Sequence, residues 1–156
     1  SPLRNWEPSG RSADMAGEIV LGYDDTEEAR AALPVAVRLA RSLGAGLVIG
    51  FGYEPPRSGG EVGALRDQIE RLGEEFAATA RAQVAAIDPD LPVRTELVQD
   101  RPAMAIVRLA DSVDAPFIVL GHRQRHLLAE VFIGSILEGV LSETSRPVVA
   151  VQTPEA

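Results

Sequence analysis

Two arginines and two histidines are concentrated in one short stretch of the chain, between an apolar segment and the start of a helical pattern. The stretch begins at Gly121, contains Arg123 and Arg125, and ends at Gly134 and Ser135. The first N–H groups of a helix lack backbone partners and the helix dipole favours negative charge there, so a cationic loop before a helix is suited to anions. This stretch therefore predicts a site for a phosphate group or another anion.

The charged side chains of this stretch also permit other interpretations. Arg123 and Arg125 can make bidentate contacts with phosphate, but they can equally form salt bridges with surface carboxylates. His122 and His126 have the spacing of a metal-binding pair, yet the sequence places no third ligand beside them. We therefore expect these histidines to be exposed or locally hydrogen-bonded. Acid–base catalysis by either histidine would need a nucleophile nearby, and none is evident in the sequence.

The apolar segments indicate the elements that would position this stretch. Strands are expected over residues 18–23, 47–53, 93–99, 117–120 and 148–152. Helical patterns alternate with them, over about 26–43, 64–87, 102–113 and 135–143. The alternation predicts an α/β fold: a three-layer sandwich in which a five-stranded parallel sheet has helices on both faces.

In a parallel sheet of this kind a ligand lies beyond the carboxyl ends of the strands, where the strand order reverses. In the order 3-2-1-4-5, that crevice would lie between the first and fourth strands. The loop at 24–26 would then face the loop at 121–126. Asp25 and Glu28 have capping-box spacing, so we expect Asp25 to cap the first helix and Asp24 to remain available to a ligand.

The composition argues against several classes of protein. A net charge of −8 disfavours a general surface for nucleic acid or anionic membranes. All 15 basic residues are arginine, so a phosphate-binding or Schiff-base lysine is impossible, and the absence of cysteine excludes thiolate catalysis. The sequence contains no run of 18 apolar residues and no signal-peptide pattern, so we expect a cytoplasmic protein that does not span a membrane.

Three segments of the chain resemble the universal stress protein family. They are IVLGYDDTEEA, RPAMAIVRLADSVDAPFIVLG and GSILEGVLSETSRPVVAVQ, and the resemblance covers nearly everything from residue 18 to residue 152. Members that bind nucleotide carry the pattern G-x2-G-x9-G-[ST] after the fourth strand. This chain has the same spacing with Gly121, Gly134 and Ser135 in place, but Gln124 replaces the second glycine.

The resemblance implies a sheet of order 3-2-1-4-5 and a crevice for an adenine nucleotide, ATP or AMP, with Mg²⁺. Asp24 would contact the adenine or ribose, Gly22 and Tyr23 would line the same pocket, and Leu47 would contact the base. Gly121, Gly134 and Ser135 would contact the phosphates. The full set of remaining residues expected at the nucleotide site is Gly121, His122, Arg123, Gln124, Arg125, Gly134, Ser135 and Ile136. Side-chain bulk at Gln124, and at Leu127 where many members have glycine, indicates an altered crevice with weaker binding.

Two functional hypotheses follow from the resemblance. In the first, the protein is a regulatory module whose conformation or assembly is set by an adenine nucleotide. In the second, it is a family member that does not bind nucleotide and acts through dimerisation and protein partners, as Gln124 and Leu127 favour. We do not expect an enzyme, because no base–nucleophile pair is evident, although a slow ATPase activity stays open.

The chain divides into an irregular extension over residues 1–14 and one domain over 15–156. The last strand is apolar and is expected at a sheet edge, where unpaired backbone groups favour pairing with another chain. In this family the last strand commonly mediates dimerisation, so we expect a homodimer through Val148, Val149, Ala150 and Val151. The alternative is an edge covered by the N-terminal extension.

Overall fold

The computed structural model describes residues 17–54, 62–123, 125–127, 130–132 and 135–153. The strands are β1 (Glu18–Gly22), β2 (Gly46–Tyr53), β3 (Val93–Gln99), β4 (Ile118–Arg123), β5 (Arg125–Leu127), β6 (Glu130–Phe132) and β7 (Val148–Thr153). The helices are α1 (Glu27–Leu43), α2 (Val62–Ile87), α3 (Pro102–Ser112) and α4 (Ser135–Glu143). The predicted N-terminal extension lies outside the described residues.

Five of the strands form one parallel sheet in the order β3-β2-β1-β4-β7, which confirms the predicted order 3-2-1-4-5. Alternate residues along each strand face opposite layers of helices. Ile19, Leu21 and Ile49 belong to the core under α1 and α2, whereas Val20 and Val48 belong to the core under α3 and α4. Because both faces are buried, the central strands are almost continuously apolar.

The fourth strand is longer than the sequence predicted. The chain does not leave the sheet at Gly121, because β4 continues to pair with β7 as far as Arg123, which lies opposite Thr153. The part expected to be a loop also contains a two-stranded antiparallel sheet, β5 with β6, in which Arg125 lies opposite Phe132. Three-residue strands are too short to produce a recognisable alternation, so this hairpin could not be predicted from local pattern.

The start of α1 differs from the capping prediction. Thr26 is the N-cap, and its hydroxyl accepts a hydrogen bond from the Ala29 N–H at 3.2 Å. The prediction that Asp25 caps this helix is wrong: Asp25 has a φ of 58° and lies one residue before the cap. The helix then continues through Pro34 and ends at Gly44, whose φ of 64° is the left-handed conformation typical of a helix C-terminus.

In the described part of the chain, no helix combines the length and the apolar character that crossing a bilayer requires.

Candidate functional site

A cavity of about 420 Å³ opens at the carboxyl ends of β1, β2 and β4, where the strand order reverses. The first turns of α1, α3 and α4 surround it, so three helix N-termini converge on the same space. Its size is within the range of small-molecule sites. The lining residues are Gly22, Tyr23, Asp24, Thr26, Glu28, Ala29, Gly50, Gly52, Pro102, Ile106, Leu120, Gly121, His122, Arg123, Ile136 and Leu137. We call this cavity the cleft.

The two loops that were expected to face each other do meet at the cleft. The predicted site residues that line it are Gly22, Tyr23, Asp24, Gly121, His122, Arg123 and Ile136. Arg125 lies in β5 and Ser135 begins α4. Gln124 and Gly134 lie outside the described residues.

Leu47 does not agree with its predicted role. It is fully buried near the beginning of β2, opposite Ile19, in the core under α1 and α2. The cleft lies at the other end of this strand and is lined instead by Gly50 and Gly52. Because the ligand edge of a parallel sheet is its carboxyl edge, the position along β2 was a usable signal for these two residues.

Three of the lining glycines allow α3 to approach the sheet closely. A Cβ on Gly22 would lie 3.3 Å from Ile106 Cδ1, and one on Gly52 would lie 2.7 Å from Pro102 Cα. A Cβ on Gly50 would lie 2.7 Å from Leu109 Cδ2. A larger residue at Gly52 would press on the α3 backbone, and at Gly22 and Gly50 it would displace the side chains of α3 that pack on the sheet, so the glycines define the floor of the cleft.

Gly121 has the same function on the opposite face of the sheet. A Cβ there would overlap the backbone carbonyl of Glu28 and lie 2.9 Å from the Ala29 nitrogen. The first turn of α1 therefore rests directly on the end of β4. This contact requires glycine at the first position of the glycine pattern whether or not a phosphate binds there.

Arg123 forms salt bridges across this contact. Its Nη2 donates to Glu27 Oε2 at 2.8 Å, and its Nε lies 2.6 Å from Glu28 Oε1 without the alignment of a hydrogen bond. These are the salt bridges that the sequence offered as the alternative to phosphate contact, which itself stays a prediction. The pKa of Glu28 is held below its usual range, mainly by a hydrogen bond from its own backbone N–H and further by Thr26 and the charge of Arg123.

The rim next to β1 is fixed by a chain of side-chain contacts. The Tyr23 hydroxyl donates to Asp25 Oδ1 at 3.0 Å, and the same oxygen accepts from Arg30 Nε at 3.0 Å. The Tyr23 ring packs edge-to-face on Phe51, with ring centroids 5.8 Å apart. Burial, followed by the hydrogen bond and the negative charge of Asp25, raises the pKa of Tyr23 to about 12.

Asp24 is exposed at this rim, and its carboxylate is held locally. Its Oδ1 accepts from the Thr26 hydroxyl at 2.6 Å and from the Thr26 N–H at 3.2 Å. The carboxylate is thereby fixed at the mouth of the cleft, beside the start of α1. A group that donates a hydrogen bond, such as a ribose hydroxyl or an aromatic amine, is the ligand chemistry that suits it.

His122 is more buried than expected. It lies in β4 with 5% of its surface exposed, facing the α3–α4 side of the cleft rather than solvent. Within the described residues, no group of three or more histidine, aspartate or glutamate side chains is arranged to hold a metal ion.

The residues that sequence reasoning missed come mainly from helix starts and from the walls of the cleft. They are Thr26, Glu28, Ala29, Gly50, Gly52, Pro102, Ile106, Leu120 and Leu137. Most are apolar or small, and residues of these types are common in any core, so their type carries no functional signal.

Comparisons with known proteins point to one family. A sequence model of the Universal stress protein family matches residues 15–152. A Thermus aquaticus protein, called the universal stress protein in the QAH/OAS sulfhydrylase 3′ region, is 34% identical over 142 residues, which cover 88% of this chain and 100% of the relative.

Solved structures agree with this result. The universal stress protein of Archaeoglobus fulgidus superposes with a TM-score of 0.72 at 25% identity, covering 86% of this chain and 98% of its own. A structure of the Archaeoglobus fulgidus universal stress protein in complex with dAMP gives a TM-score of 0.65 at 24% identity, covering 86% and 97%. The family match and the Thermus relative together show that this chain belongs to the universal stress protein family.

Proposed function

We propose that this chain is a regulatory module that binds an adenine nucleotide in the cleft. The observation that carries the proposal is the position of the cleft: it lies where the strand order reverses, between Asp24 and the start of α4. A related structure whose complex contains dAMP supports the choice of ligand.

The described residues suit the adenosine part of such a ligand. Ile106, Leu120 and Leu137 provide an apolar wall for a flat base, and Asp24 provides an acceptor for a ribose hydroxyl or the adenine amine. The convergent starts of α1, α3 and α4 favour a negatively charged group near the opening. AMP or ATP, the latter with Mg²⁺, are the candidate ligands.

Regulation would require that the nucleotide bind one state of the protein more tightly than another. We propose binding rather than catalysis, because the chain has no lysine or cysteine and the described carboxylates at the cleft accept hydrogen bonds from Thr26 or pair with Arg123. We also propose that residues 15–156 form the functional domain and that residues 1–14 are an extension.

A calorimetric titration with AMP and ATP tests the proposal, using one variant inside the cleft and one outside. Ile136→Glu places a carboxylate in the cleft and should weaken binding about tenfold or more, through repulsion of phosphate and loss of apolar contact. Leu141→Glu makes the same change on the same helix at a side chain that is 50% exposed and away from the cleft. It should bind like the parent chain, and equal loss in both variants would contradict the proposed location.

A second candidate function is a family member that acts through dimerisation and protein contacts without nucleotide. The salt bridges of Arg123 favour it, because the described guanidinium at the cleft already has two carboxylate partners. No heat of binding at millimolar AMP and ATP would favour this function and would exclude the first.

In both candidates we propose a homodimer through Val148, Val149, Ala150 and Val151. These residues lie in β7, which is an edge strand of the sheet, with Ala150 exposed and the three valines half-buried. The outer backbone groups of such a strand are available for pairing with a second copy.

A further inference from the structure

In the described part of its lining, the cleft holds more negative than positive charge. The charged groups there are the carboxylates of Asp24 and Glu28 and the guanidinium of Arg123, and Glu27, which is exposed beside the lining, also pairs with Arg123. Arg123 is shared by two of these carboxylates and its side chain is only 29% exposed. A ligand phosphate that approaches Arg123 must therefore displace a carboxylate or accept its repulsion.

The carboxylate of Glu28 cannot easily move away from this position. Its backbone carbonyl is in contact with Gly121, which fixes the first turn of α1 on β4. Its side chain is only 21% exposed, and its hydrogen bonds and the neighbouring Arg123 keep it ionised at neutral pH. The negative charge beside Arg123 is thus carried by a residue whose backbone is packed on β4 and whose side chain is paired with Arg123.

We propose that Glu27 and Glu28 determine the charge selectivity of the cleft, so that it takes an adenine ligand with a single phosphate in preference to ATP. In the absence of Mg²⁺, ATP brings roughly two more negative charges than a monophosphate to the same mouth. These added charges would meet Glu27 and Glu28, which already pair with Arg123. This inference rests on the proposed function, since it names the ligand class of the same cleft.

The test compares, in Mg²⁺-free solution, the dissociation constants of adenosine, AMP and ATP for the parent chain and for the double variant Glu27→Gln and Glu28→Gln. Glutamine keeps the shape and the polar atoms of glutamate but removes the charge. We expect the parent chain to bind AMP more tightly than ATP, and the double variant to shift the ratio of the two constants at least ~5-fold towards ATP. This shift should shrink in 0.5 M salt, because surface charges are screened at such ionic strength.

Two comparisons separate this effect from general changes. Adenosine carries no phosphate, so its affinity should be the same in the parent chain and the variant, and a loss would indicate structural damage rather than charge selectivity. The matched control is Glu74→Gln with Glu75→Gln, an adjacent exposed pair on α2 that does not line the cleft and that changes the net charge equally. It should leave the ratio of AMP to ATP affinity unchanged.

The possible failures are distinguishable. Tighter binding of ATP than of AMP by the parent chain would overturn the inference while leaving the proposed function intact. The inference would also be overturned if the ratio of AMP to ATP affinity were unchanged in the double variant, or if it shifted equally in the α2 control. If neither nucleotide bound to any of these proteins, the proposed function would be wrong and the inference with it.

Discussion

At the scale of single residues, Gly121 combines a motif position with a packing requirement. A glycine in this pattern is expected to allow backbone N–H groups to approach a phosphate. The structure gives an additional reason, since a side chain here would overlap the first turn of α1 at Glu28. The same residue thus fixes the geometry of the cleft and the position of Glu28 beside Arg123.

Gly121→Ala should therefore lower the free energy of unfolding, by about 2 kcal/mol or more, because the added methyl group has no space between β4 and α1. Urea denaturation measures this loss. Gly63→Ala is the control: a Cβ there has no atom within 4 Å, and alanine favours the helix by up to ~1 kcal/mol. An unchanged stability of Gly121→Ala would show that the glycine serves only a ligand.

The raised pKa of Tyr23 predicts that the folded protein loses stability at alkaline pH. Its pKa is raised from about 10 to about 12, so the folded protein holds the phenolic proton more tightly than the unfolded chain. The stability that this raised pKa contributes is fully present below pH 10 and is lost as the pH rises from 10 to 12. The chain contains no lysine, so fewer other groups titrate in this window.

Denaturation at a series of pH values should show this slope, and Tyr23→Phe should reduce it. Absorbance titration in a Tyr53→Phe background, where Tyr23 is the remaining tyrosine, gives the pKa directly. A folded-state value near 10 would contradict the role assigned to burial and to Asp25.

At the scale of elements, the start of α1 organises one side of the cleft. Thr26 caps the helix through Ala29, while its own hydroxyl and N–H hold the carboxylate of Asp24. One threonine therefore fixes both the helix start and a candidate ligand contact. Asp25, in the left-handed region, directs its side chain to Tyr23 and Arg30 instead of to the helix.

Thr26→Ala should cost about 1 kcal/mol of stability through loss of the cap. It should also weaken nucleotide binding several-fold, because Asp24 loses the hydroxyl that holds it. Thermal denaturation and calorimetric titration measure the two effects. Thr26→Ser retains the hydroxyl and should preserve both properties; equal loss in the serine variant would contradict this account.

The sequence was informative about elements and less so about their ends. Alternating buried strands and capped helices predicted the parallel sheet, because each pattern reflects burial along the whole element. The extension of β4 to Arg123 depends on pairing with β7, which is a tertiary contact that local pattern does not contain. The error at Leu47 has a different origin, since the rule that ligands lie at the carboxyl edge of a parallel sheet already favours the later positions of β2, where Gly50 and Gly52 line the cleft.

At the scale of the whole molecule, the sheet has two unlike edges. The β3 edge carries charged side chains, including Arg94, which forms salt bridges with Glu18 and Glu96. The β7 edge presents Ala150 and half-buried valines. Charged edges resist pairing and apolar edges favour it, so the proposed dimer uses β7.

Light scattering should accordingly give twice the chain mass of 16.6 kDa for the parent protein. Ala150→Asp should give the single mass, because two carboxylates would face each other across a symmetric contact. Gln99→Asp makes a comparable change on the exposed surface of β3 and should leave the dimer intact. A parent protein that is monomeric at high concentration would rule out this interface.

Occupation of the cleft by an adenine nucleotide can be followed residue by residue, by titrating the ¹⁵N-labelled protein with AMP and recording the amide resonances. Saturable shifts are expected that are largest at residues lining the cleft, with Gly22, Asp24, Gly52 and Gly121 among them. Resonances of the exposed face of α2 should remain in place. Nucleotide binding in the cleft would be refuted if these four amides did not move at millimolar AMP, or if the shifts were concentrated elsewhere.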